Sequence, residues 1–138
     1  MRTRLVLAVL PVALLGMTVA PSLAAPKAKP FTQTYEASAP VPGAELSCDG
    51  TLPMGQDLME IKIPAAGTVK VDLAGFLGDW DLQLTANGTE LGVSQEIQPL
   101  TEGESVAVKV KKALTLVVNA CNYNGGPTGT VTLAYKPS

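Results

Sequence analysis

The sequence predicts an all-β fold, an antiparallel β-sandwich of about seven or eight short strands with jelly-roll-like connections. Three observations predict it. Apolar residues recur with a period of two through most of the chain, as in Val69, Val71 and Leu73 against Lys70 and Asp72. Turn residues separate these runs, most sharply at Asn87-Gly88. No helical period appears beyond the first two dozen residues. Alternating strands have one dry face each, so two sheets must pack face to face to cover them.

The elements follow in order. Phe31-Thr-Gln-Thr-Tyr35 alternates aromatic and polar residues and reads as a first, edge strand. From Ala39 to Gly55 the density of proline and glycine reads as a loop, with Cys48 placed to pin it to the body. Met59, Ile61 and Ile63 then alternate with Glu60 and Lys62, and Ala65-Ala66-Gly67 turns the chain into the Val69–Leu73 strand. Trp80, Leu82 and Leu84 alternate with Asp79, Asp81 and Gln83. Asn87-Gly88 suits a tight hairpin, because both central residues of that turn need positive φ. Val106, Val108 and Val110 form a further alternating run. Leu114-Thr-Leu-Val-Val118 breaks the alternation and reads as a central strand. Asn124-Gly125-Gly126-Pro127 starts the last turn, before Val131, Leu133 and Tyr135.

Residues 1–24 read as an export leader. Arg2 and Arg4 precede an apolar run from Leu5 to Ala20, and Ser22-Leu23-Ala24 supplies the small residues of a cleavage site. The run contains Pro11 and is shorter than the ~20 apolar residues of a spanning helix. Residues 25–38 are expected to be a flexible lead with a possible edge strand, and 39–138 the sandwich domain. The expected product is secreted and extracellular, with no stable membrane anchor. Two of the ten basic residues lie in the leader, so the remainder carries a net charge of about −4. Such a chain repels phosphate, and no nucleic-acid partner is expected. Lys109, Lys111 and Lys112 read as a solvated strand face.

In an oxidising compartment the two cysteines, Cys48 and Cys121, are expected to form a disulfide. Closing a loop of roughly 70 residues contributes about 4 kcal/mol by chain entropy.

The sequence contains no histidine, which removes Ser-His and Cys-His nucleophile pairs and the commonest zinc ligand. The expectation is therefore no enzyme. Asp79 and Asp81 share one strand face, and Glu102 and Glu104 are likewise two apart, yet a small sandwich with few aromatics offers little cleft for a glycoside. Asp79 and Asp81 are also hard-oxygen candidates for calcium, against which stands a turn cap and a strand-edge hydrogen bond. Trp80 has the parity of the core. Asn122, Tyr123 and Asn124, read as part of a loop, are the candidate contact residues. Asn87-Gly88-Thr89 fits a glycosylation sequon, although the hairpin turn accounts for the same residues.

Gly78-Asp-Trp-Asp-Leu-Gln-Leu84 resembles the bacterial pre-peptidase C-terminal domain, a secreted β-sandwich appended to extracellular proteases. Those domains carry a glycine-valine strand, here Gly67 to Leu73, then a Gly-Asp-x-Asp-Leu-aromatic strand, here Gly78 to Leu84. The closing strands around the Tyr-Asn-Gly-Gly turn are also similar. The sequence departs from the pattern at Gln83, where the family has an aromatic, and it carries no peptidase. The resemblance implies a role in secretion, localisation or substrate attachment, and calcium binding in some members, with Asp79 and Asp81 at the acidic positions.

Together these readings predict a secreted, non-catalytic binding or adhesion module recognising extracellular protein or polysaccharide through loops at one end. The alternative is a structural or inhibitory partner of a co-secreted peptidase.

Overall fold

The computed structural model describes residues 27–40, 48, 55–95 and 103–138. Residues 1–24, expected to be a leader, most of the 41–54 stretch and Glu102 lie outside the described residues. The strands are β1 (Phe31–Ser38), β2 (Gln56–Ile63), β3 (Gly67–Ala74), β4 (Gly78–Ala86), β5 (Thr89–Ser94), β6 (Glu104–Val110), β7 (Leu114–Gly125) and β8 (Thr128–Pro137). No helix occurs among the described residues. One sheet has the order β1-β8-β3-β6 and the other β2-β7-β4-β5, with every pairing antiparallel. This interleaving of consecutive strands between two sheets is the jelly roll.

The period of two sets the interior. Val69, Val71 and Leu73 of β3 face Trp80, Leu82 and Leu84 of β4, with Leu116, Val118, Leu133 and Tyr135 completing a buried core. Central β7 lies between β2 and β4. At the β4–β5 turn Asn87 and Gly88 both have positive φ, 50° and 72°, as a tight hairpin requires. The residues 25–38, read as a flexible lead with a strand, contain β1 paired to β8 along its whole length, from Phe31↔Tyr135 to Ser38↔Thr128.

Strand alternation sorts the connections by end. The short turns 64–66, 87–88 and 111–113 lie at one end. The connections 39–55, 75–77, 95–103 and 126–127 all join strand ends at the other, where Ser38 stands opposite Thr128 and Gly78 opposite Gly125. Long connections therefore gather at one pole of the sandwich. Cys48, in the longest of them, is joined to Cys121 of β7 with an S–S distance of 2.06 Å and Cα atoms 5.6 Å apart.

Candidate functional site

The long-loop pole is built around the carbonyl of Gly126. Asn122 Nδ2 donates to it at 2.9 Å and Trp80 Nε1 at 3.2 Å. The same Asn122 amide donates to the carbonyl of Ala39 at 2.8 Å, and Ala39 N–H donates to the carbonyl of Pro127 at 2.9 Å. These bonds tie the start of the β1–β2 connection to the β7–β8 turn. Gly126 N–H donates to the carbonyl of Leu77 at 2.8 Å, which draws the β3–β4 loop into the same cluster. Phe76 of that loop is buried against Trp80, with ring centroids 6.0 Å apart. Gly78 has φ +84°, and a Cβ there would collide with the main chain of Asn124. Only glycine lets β4 start this close to β7.

Two consequences appear at the surface. Phe76 turns inward, so the next residue turns outward, and Leu77 is 74% exposed. The β4–β7 ladder pairs Asp79 with Asn124 but Trp80 with Asn122. Tyr123 is thus the extra residue of a β-bulge, and bulges re-aim side chains. It is 40% exposed. A large aliphatic and an aromatic side chain therefore project from one rigidly held pole, beside exposed Asn124 and half-buried Asp79. This arrangement suits contact with a partner surface rather than bond chemistry.

The outer face of β4 departs from expectation. Strand parity places Asp79 and Asp81 together on a solvated face, and they do share that face. Asp81, however, is only 5% exposed. Its cross-strand neighbour is Cys121, whose disulfide brings Cys48 onto this face. The carbonyl of Cys48 is held there by Asn119 Nδ2 at 3.1 Å and Gln56 Nε2 at 3.3 Å. Burial pushes the Asp81 carboxyl up to about 7, and the charges of Asp79 and Glu104 add to the rise. Glu104, at 2% exposed, shares the inward parity of Val106 and Val110 and accepts a hydrogen bond from Ser94 Oγ.

Calcium takes six to eight oxygens. Among the described residues, no group of three or more His, Cys, Asp or Glu side chains is arranged to hold a metal ion. Asp79 and Asp81 do not form a coordination shell with any described acidic neighbour, and no chemistry is routed through a metal here.

The residues Asn122, Tyr123 and Asn124 are not loop residues; they continue β7 to Gly125. Asn122 is fully buried, with its Nδ2 donating to Ala39 and Gly126, and is closed off from an external ligand. Tyr123 and Asn124 remain accessible. Leu77 was not among the expected contact residues; the signal was two adjacent large apolar residues, Phe76 and Leu77, between glycines in a short connection, which cannot both turn inward.

No family model matches the sequence, and no curated protein matches it. Solved structures do. One is the pre-peptidase C-terminal domain of collagenase from Bacillus anthracis, with a TM-score of 0.50 over 77% of this chain and 90% of that one. The chain has the pre-peptidase C-terminal domain fold. At 13% identity the likeness is one of backbone architecture. It agrees with the resemblance carried by Gly78 to Leu84.

Proposed function

We propose that this protein is a secreted, non-catalytic binding module that recognises an extracellular protein or polysaccharide through its long-loop pole. The observation that carries the reading is the paired exposure of Leu77 and Tyr123 on a pole whose main chain is fixed by the Gly126 hydrogen bonds. Exposed apolar anchors on a rigid frame lose little conformational entropy on binding. The leader-like first residues and the disulfide support an extracellular setting. The absence of histidine from the sequence supports recognition rather than nucleophilic catalysis.

A second reading rests on the fold likeness to a collagenase domain. In it the same pole docks on a co-secreted peptidase as a structural or inhibitory partner.

A glycan array and a panel of matrix proteins, probed with the wild-type chain and with Leu77→Ala/Tyr123→Ala, test the first reading. The expected result is retention on at least one ligand class, weakened at least about tenfold in the double variant. Equal retention by both proteins, or none by either, contradicts it. Altered activity or lifetime of a co-secreted peptidase, together with silence on both panels, favours the second reading.

A further inference from the structure

Among the described residues, strand β1 is an open edge. It pairs with β8 on one side, and on the other its one hydrogen bond to a described neighbour is Ser38 N–H donating to Asp57 Oδ2 of β2 at 2.9 Å. The other edges are managed differently. Edge β6 is covered by β5, whose Gly92 lies so close that a Cβ would stand 2.7 Å from Val106 Cγ1. Strand β5 carries a register shift opposite Leu84 and Thr85. Strand β2 carries Asp57, Glu60 and Lys62. By contrast β1 is eight residues long, has an unbroken register, and contains a single charge, Glu36. Such an edge is a template for another strand.

The strand's own hydrogen bonds say which groups are on offer. Main-chain groups alternate sides along an antiparallel strand. Ala39 N–H bonds toward β8, to Pro127, whereas Ser38 N–H points away, to Asp57. Odd-numbered residues of β1 therefore bond β8, and Thr32, Thr34 and Glu36 present N–H and C=O groups outward that have no partner among the described residues.

Phe31-Thr-Gln-Thr-Tyr35 reads nearly the same in both directions about Gln33. We propose that β1 pairs antiparallel with β1 of a second copy of this chain, across a twofold axis through Gln33, joining the two β1-β8-β3-β6 sheets into one. In this register Thr32 stands opposite Thr34 of the second copy, and the two exchange both main-chain hydrogen bonds through their outward groups. Glu36 N–H meets the carbonyl of Pro30, which has no N–H to lose. Gln33 meets Gln33, and Phe31 meets Tyr35 of the second copy at a position where cross-strand side chains approach most closely. Phe31 and Tyr35, and Met59 on the neighbouring edge β2, are half-buried against the core, and the second copy covers what they leave open. The contact is isologous, so it closes as a dimer and does not propagate.

Sedimentation equilibrium over about a hundredfold range of concentration tests the proposal. The wild-type chain is expected to show a reversible monomer–dimer equilibrium. Thr34→Pro removes an outward N–H, which an edge strand tolerates, and an exposed hydroxyl contact with Thr132, so it is expected to weaken the dimer at least about tenfold while keeping the monomer's circular dichroism. Gln33→Cys, treated with oxidised glutathione, is expected to give a dimer linked through position 33; this variant decides the matter if Thr34→Pro does not fold. A wild-type chain monomeric throughout, an undiminished dimer in folded Thr34→Pro, or no link through position 33 overturns the proposal.

Discussion

Trp80 and Asn122 stand opposite each other across the β4–β7 ladder and donate to the same acceptor, the carbonyl of Gly126. One oxygen thereby holds two strands, a turn and, through Asn122, the β1–β2 connection. Asn122→Ala leaves the buried carbonyl of Ala39 without this donor. We expect a loss of about 2–3 kcal/mol of stability, and slower but not abolished folding. Urea unfolding followed by the fluorescence of the only tryptophan measures it directly.

The Cys48–Cys121 bridge adjoins that cluster, on the opposite face of β7 at the residue next to Asn122. It spans a sequence separation of 73, so its reduction restores much freedom to the unfolded chain. We expect Cys48→Ala/Cys121→Ala to cost about 4 kcal/mol. It also removes the cover from Asp81. The double variant should therefore lose both stability and the anomalous titration of that carboxyl. Denaturant unfolding and a pH titration of the same variant check the two effects separately.

The titration of Asp81 has a definite sign. Its carboxyl stands at about 7 in the folded chain against an ordinary 3.8. Between these values the folded state holds a proton that the unfolded state has released. Stability is thus greatest below the ordinary value and falls as pH rises through about 7. Asp81→Asn should flatten this slope and stabilise the protein at pH ~8 by about 2–4 kcal/mol. Thermal melts of both chains from pH ~4 to ~8 are the measurement.

Gly78→Ala tests the close start of β4. The side chain would need positive φ and would meet the main chain of Asn124. We expect a loss of about 2–4 kcal/mol. The displaced ladder should also loosen the Tyr123 bulge, seen as faster amide exchange at Tyr123 and Asn124.

Much of this was legible in single-residue parity. Val69, Val71, Leu73, Trp80, Leu82 and Leu84 point inward as their spacing requires, and Asn87-Gly88 makes the turn its chemistry favours. Asn122 was misread: it follows Leu116, Val118 and Ala120 at every second position and is buried with them, but the unbroken apolar run before it and the Asn and Gly after it disguised a continuing strand. Glu104 shares the parity of Val106 and Val110, and its charge hid that. The burial of Asp81 was not legible. It is set by residues far along the chain: Cys121, its cross-strand neighbour, with Cys48 bonded to it, and Glu104 of β6. Tyr123 is the extra residue of a bulge whose register is set by the pairing of β7 with β4. Local pattern determines which face a residue takes; non-local crossings determine whether that face stays wet.

Under the proposed function, the long-loop pole is the recognition surface. Photo-crosslinking tests it most directly, with a benzoyl-phenylalanine placed at position 123 and, as control, at position 111 in a short turn of the opposite pole. The account predicts a discrete adduct from position 123 in the producing culture and none from position 111. Adducts of equal yield from both positions, or from position 111 alone, would contradict it.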